Sequence, residues 1–144
     1  MKATILAAVG MVGGIIASLL GGWDAAAATL CMFMAADYVT GLIVAGVFHK
    51  SNNSTNGALE SRAGFKGLCR KGGILLIVFI AAQLDLLLGE TFIRDGVVTA
   101  FVANEAISII ENVGLMGVPI PPAIKKAIDV LNERENGTNS DKAE

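Results

Sequence analysis

The sequence predicts an all-α integral membrane protein: four transmembrane helices plus a short C-terminal amphipathic helix. Three observations carry that prediction. The chain of 144 residues is 53% hydrophobic and only 17% charged, against about 25% charged in an ordinary soluble domain, and its mean hydropathy is +0.63. Between Ala3 and Phe48 the only charged residues are Asp24 and Asp37. Four apolar runs, each close to the roughly 20 residues of a bilayer crossing, are separated by short polar or glycine-rich breaks. Residues 1–122 then form one transmembrane domain, and 123–144 a cytoplasmic amphipathic helix with a charged tail. Too little polar sequence remains for a separate soluble domain.

The first span runs from Ala3 to Gly22. Ala3, Ala7, Gly10, Gly14, Ala17, Ser18 and Gly21 share one face, within roughly 100° on a helical wheel. Small residues let a second backbone approach closely. Gly10, Gly14, Ser18 and Gly21 are therefore the expected helix-packing positions, within a subunit or between subunits. A competing interpretation is a secretory signal: Lys2, an apolar core, then Ala25 to Ala28. Cleavage there would leave three spans.

Trp23 and Asp24 make a tight turn, and tryptophan suits the membrane interface. The second span runs from Ala26 to Phe48, with Asp37 near its middle and Thr40 and Gly41 on the same face. An acid at that depth is either a helix–helix hydrogen-bonding group or a functional one. Lys50 to Lys71 is the first long loop. Its segment SNNSTNG is polar and flexible. Arg62, Lys66 and Arg70 then share a helical face, with Phe65 and Cys69 beside them. That pattern predicts a short interfacial helix in which Arg62, Lys66, Arg70 and Lys71 contact anionic lipid headgroups. The plainer alternative is a merely basic loop.

The third span runs from Gly72 to Gly89, with Asp85 near its end and in reach of headgroups. Glu90 to Asp95 is a turn. The fourth span runs from Gly96 to Gly117, and Pro119, Pro121 and Pro122 stop it. This span is the unusual one. Asn104, Glu105, Ser108, Glu111 and Asn112 fall within an arc of roughly 120° on an otherwise apolar helix. Two charged acids near a span centre cost about 2.5–3.5 kcal/mol each, so the stripe faces other helices, water, or both. It is either a seam that joins helices or the wall of an aqueous path, with Asp37 at similar depth. No predicted span contains Lys or Arg to pair with these acids. They are expected to be neutral, hydrogen-bonded or hydrated, neutral when packed and ionised when wet. Beyond the prolines, Ile124, Ala127, Ile128 and Leu131 mark the apolar face of an amphipathic helix, Ala123 to Arg134. Asn136 to Glu144 is expected to be a disordered tail.

Lys50, Arg62, Lys66, Arg70 and Lys71 lie between spans two and three, and Lys125, Lys126, Arg134 and Lys142 follow span four. The other two turns together contain only Arg94. The positive-inside rule then puts both termini and the long loop in the cytoplasm.

Chemistry is sparse. No nucleophile–base pair or glycine-rich phosphate loop is present, and His49 is the single histidine. Cys31 and Cys69 support no disulfide framework. The sequence therefore predicts no enzyme, no metal and no cofactor. Arg70 and Lys71 make a poor nucleic-acid patch; lipid is the better anion. A subunit of a small-solute transporter or ion channel would share the polar stripe.

Several segments together resemble the phage lysis and toxin-secretion holin family. They are Asp37-Tyr38-Val39-Thr40-Gly41, then Gly64 to Lys71 (GFKGLCRK), Leu84-Asp85, Ala103 to Asn112 (ANEAISIIEN), and Gly117 to Pro121 (GVPIP). Val102 stands where the family pattern has an aromatic residue. The resemblance implies a protein that accumulates in the bacterial host's cytoplasmic membrane, homo-oligomerises in the lipid bilayer and opens large lesions. An endolysin, or an exported toxin, would then leave the cell. Asp37, Lys66, Arg70, Asn104, Glu105, Glu111 and Asn112 match positions of the family's motifs.

Overall fold

A computed structural model describes residues 1–140; among them it is all-helical, with no strand. The order is α1 (Lys2–Leu19), α2 (Ala25–Ile43), a one-turn π-helical extension (Val44–Phe48), α3 (Ser61–Leu88), α4 (Phe92–Leu115) and α5 (Pro122–Ser140). Four helices are long and apolar enough to cross a membrane: α1, α2 with its extension, α3 and α4.

Two boundaries differ from the sequence expectation. The predicted interfacial helix and third span are one helix, the 28-residue α3. At 1.5 Å per residue it is about 42 Å long, against a hydrocarbon core of about 30 Å. Its first two turns therefore stand beyond the apolar layer, and polarity changes along the helix without ending it. The C-terminal helix also continues through Asn136 to Ser140, where a disordered tail was expected. The rest of that tail, 141–144, lies outside the described residues.

Each helix end has a local cause. Gly21 (φ +86°) and Gly22 (φ +101°) turn the chain out of α1, and the Gly22 N–H closes the last turn on the Ala17 carbonyl at 2.9 Å. Asp24 caps α2 by accepting the Ala27 N–H at 2.8 Å. Gly89, left-handed at φ +69°, ends α3. The first turn of α4 has no cap from its own Thr91. Asp85, at the end of α3, supplies one: its carboxylate accepts the N–H groups of Ile93 and Arg94 at 3.0 and 2.9 Å. Asp85 is buried. It therefore does not reach out to headgroups, as its position in the sequence led one to expect.

The core lies between α2, α3 and α4. Leu30 and Met34 meet Ile74, Val78 and Val98, and Leu20 closes one end. Helix α4 packs on both α2 and α3, whereas α1 touches only α3 among the helices. No residue of α1 is buried. Gly10 and Gly14 have nothing within 4 Å of where a Cβ would stand, and Ser18 is exposed. Of the three glycines among the expected packing positions, only Gly21 meets another part of the chain. A Cβ there would lie 2.7 Å from Cδ and Nε of Arg94.

Gly21→Ala should therefore destabilise the detergent-solubilised protein by more than about 1 kcal/mol, from strain at positive φ and from the Arg94 contact. Gly14→Leu should stay within about 0.5 kcal/mol of the parent. Thermal unfolding followed by circular dichroism measures both. Equal effects of the two substitutions would contradict the packing described.

Candidate functional site

Three helices each contribute one charged side chain to a buried cluster: Asp37 from α2, Lys71 from α3 and Glu105 from α4. The Lys71 ammonium donates to Asp37 Oδ2 and to Glu105 Oε2. The three side chains are 16%, 12% and 7% exposed, in the order Asp37, Lys71, Glu105. Asp37 lies about 18 Å along α2 from Ala25, and Glu105 about 20 Å along α4 from Phe92. The cluster therefore sits near mid-depth of the bundle.

This corrects the sequence expectation that no cation is available to the acids. Lys71 was assigned to the basic loop, as a lipid-headgroup contact, one residue before the third span. Because α3 starts at Ser61, Lys71 is instead an interior residue of that helix. The signal was present in the spacing: Lys71 precedes the buried Ile74 and Val78 by three and seven residues, so all three share one helical face.

A hydrogen-bond layer surrounds the cluster. Asn112 Nδ2 donates to Asp37 Oδ1 at 3.2 Å and to Thr40 Oγ1 at 3.0 Å, and Thr40 Oγ1 donates to the Asp37 carbonyl at 3.0 Å. The Tyr38 hydroxyl donates to the Gly64 carbonyl at 3.4 Å. Asp37 is thus held by a cation and an amide, and α2 is joined to both α3 and α4 by polar contacts.

The polar stripe of α4 divides along its length into two edges. Glu105 and Asn112, at one edge of the arc, turn inward to Lys71 and Asp37. Asn104 and Glu111, at the other edge, are exposed, and Ser108 lies between them, half-buried. From Ile93 to Gly117 no large hydrophobic residue is exposed. The exposed positions there are Asp95, Gly96, Thr99, Asn104, Glu111, Gly114 and Gly117. By contrast α1 exposes Ile5, Leu6, Val9 and Ile16, and α3 exposes Leu76, Ile77, Ile80 and Leu84. The outward face of α4 is polar and small where its neighbours are greasy.

A second charged group closes the other end of the bundle. Arg94 is buried. Its Nε donates to the Leu20 carbonyl at 2.5 Å, and Nη2 to the Gly22 carbonyl at 3.2 Å. Nη1 pairs with Asp24 at 2.7 Å and with Asp95 at 3.2 Å. The Arg94 guanidinium, helped by the Ala27 N–H, holds the Asp24 carboxyl down at about 2, from an ordinary 3.8. Sequence reasoning left Arg94 in a turn, with nothing in its neighbours to mark it as the tie between α4 and the α1–α2 connection.

Arg62, Lys66 and Arg70 are exposed on the first turns of α3, with Phe65 and Leu68 exposed beside them. Cys69 is exposed as well and Cys31 half-buried. Among the described residues no three His, Cys, Asp or Glu side chains gather as a metal site. The arrangement can hold charge inside a membrane and present a polar face; it offers no nucleophile with a base beside it.

Comparison with known proteins gives a consistent family. The profile of the bacteriophage holin family matches residues 14–133. An uncharacterized protein of Listeria monocytogenes is 37% identical over 90% of this chain and 87% of its own length. An uncharacterized 14.9 kDa protein of Clostridium perfringens is 34% identical over 85% of this chain and 89% of its own. A protein of Bacillus phage phi105 named probable holin is 31% identical over 74% of this chain and 73% of its own. No solved structure matches.

Lys71→Met would leave two carboxylates facing each other without their cation. Removing one partner from a buried ion pair costs about 3–5 kcal/mol, and a loss of that size is expected in detergent unfolding. Adding Asp37→Asn and Glu105→Gln should restore most of it. If Lys71→Met unfolds like the parent, the cluster does not hold the helices.

Proposed function

The chain belongs to the bacteriophage holin family, and we propose that it acts as a holin: it oligomerises in the bacterial cytoplasmic membrane and opens lesions wide enough to release an endolysin or a toxin. It is a multi-pass membrane protein of a non-enzymatic family. The observation that carries the proposal is the outward face of α4. Asn104 and Glu111 are exposed on a membrane helix that exposes no large hydrophobic residue between Ile93 and Gly117. Lipid is a poor neighbour for an amide and a carboxylate. Copies arranged with α4 inward would turn that face to water and leave the apolar faces of α1 and α3 to lipid and to one another. The open face of α1 at Gly10, Gly14 and Ser18 suits close contact between copies. Arg62, Lys66 and Arg70 suit anionic headgroups at the membrane surface.

Both termini and the 49–60 connection are placed in the cytoplasm. The support is the distribution of Lys and Arg. Arg94 is the sole cation in the two opposite turns of the sequence, and Asp24 and Asp95 accompany it. Reporter fusions after Thr55 and Glu144 should register the cytoplasm, and a fusion after Asp95 the outside. An external Thr55 would invert the whole orientation.

A narrow ion channel or small-solute transporter is the second possibility, and the buried Lys71–Asp37–Glu105 cluster favours it. Size separates the two: a holin lesion passes a folded endolysin, whereas a channel passes only ions or dyes. Asn104→Leu combined with Glu111→Leu makes the outward face of α4 apolar. With a co-expressed endolysin and matched protein levels, the double variant should delay lysis severalfold or abolish it, whereas Glu111→Gln should still lyse. A double variant that lyses on the parental schedule would remove this face from the wall of the lesion.

A further inference from the structure

A cavity of about 100 Å³ lies inside the single chain, apart from the outward face of α4. Its outer wall is the 49–60 connection, including Ser54 and Ala58, and Arg70 stands beside it. Its deep wall is Asp37, Lys71 and Ser108. The cavity therefore runs from the surface connection to the ion cluster near mid-depth.

Three features define what it takes. Ser54 Oγ is fully buried and has no hydrogen-bond partner; leaving a buried hydroxyl unsatisfied costs about 1–3 kcal/mol. At the deep end, an ammonium has three donors, and Lys71 spends two on Asp37 and Glu105. The Ser108 hydroxyl, beside it, makes no hydrogen bond among the described residues. Both ends of the cavity thus present polar groups that need a small, adaptable partner. The charges on the wall balance, Asp37 and Glu60 against Arg70 and Lys71, so nothing selects an anion. A volume of about 100 Å³ admits several waters and excludes a lipid headgroup with its chains.

We infer that this cavity is an aqueous vestibule, a site for water and small hydrophilic solutes, entered past the 49–60 connection and reaching the Lys71–Asp37 pair within each subunit. It does not depend on assembly. The apolar barrier across one folded chain is then thinner than four apolar helices imply, and the ion cluster is hydrated from one side.

The test is cysteine accessibility in the full chain, with Cys31 and Cys69 replaced by alanine and serine, at one copy per lipid nanodisc. At that occupancy no multi-copy hole exists, so failure here is separable from failure of the lesion-forming role. Ser108→Cys, at the deep end, should react with 2-aminoethyl methanethiosulfonate at least tenfold faster than Val78→Cys in the apolar core. Adding Ala58→Trp, at the entrance, should slow Ser108→Cys about tenfold while leaving Asn104→Cys unaffected. Ala58 lies in the connection outside the helices, so the tryptophan leaves the bundle core intact; an unchanged circular dichroism spectrum verifies this. A Ser108→Cys as slow as Val78→Cys overturns the vestibule. A fast Ser108→Cys that Ala58→Trp does not slow overturns its entrance past the connection.

Discussion

One ammonium group sets the register of three helices. Within a bilayer the hydrophobic effect gives helices no reason to leave lipid for one another, and association rests on dispersion and polar contacts. A single interhelical hydrogen bond averages only about 0.6 kcal/mol, so the Tyr38–Gly64 contact alone would not hold α2 against α3. An unpaired Lys71 at mid-depth would cost several times that. Its two acceptors must therefore reach the same depth, and Asp37 and Glu105 do so from the helices on either side. Once they are there, Leu30, Met34, Ile74, Val78 and Val98 fall opposite one another. The apolar core is the consequence of that register as much as its support.

Helix α4 takes part in both charged assemblies. Glu105 joins the cluster at mid-depth, and Arg94 ties the first turn of α4 to the α1–α2 connection. The two ties differ in reach. The Lys71 cluster joins three helices along their length, whereas Arg94 holds α1 chiefly through the carbonyls of Leu20 and Gly22 just beyond its end. With no residue of α1 buried and α3 the only helix it touches, the first helix is held chiefly at one end. The bundle is thus a firm three-helix unit with a loosely held fourth member. The polar outer edge of α4 belongs to the firm part, which is where a surface that must meet water is best kept in shape.

Much of this was legible in the sequence. Composition and run length give the four spans, and the polar arc on the fourth was visible as Asn104 to Asn112. What the wheel could not resolve is that an arc of about 120° is wide enough to face two environments: its edges part at Ser108, one to Lys71 and one outward. Lys71 was missed because the span was started where polarity falls, at Gly72, whereas helical hydrogen bonding takes no account of polarity and begins at Ser61. Arg94 and Asp85 were missed for a different reason. Their partners lie in other elements, Leu20 and Asp24 seventy or more residues away for Arg94, and no local spacing encodes such a meeting. Gly21 was expected to meet a helix backbone; the group that approaches it is an arginine side chain.

The aromatic residues that flank these ties have a spectroscopic consequence. The chain has one tryptophan and one tyrosine. Trp23 stands beside Asp24 at the start of α2, 63% exposed, and Tyr38 lies next to Asp37, its ring over Gly67 and its hydroxyl on Gly64. Each ionic assembly therefore has its own intrinsic chromophore, and the two absorb and emit at different wavelengths. Indole emission reports the polarity around the Arg94 end of the bundle, and phenol absorption reports the contact between α2 and α3 beside the Lys71 cluster. Loosening of one end can be followed by light separately from loosening of the other, without attaching a label.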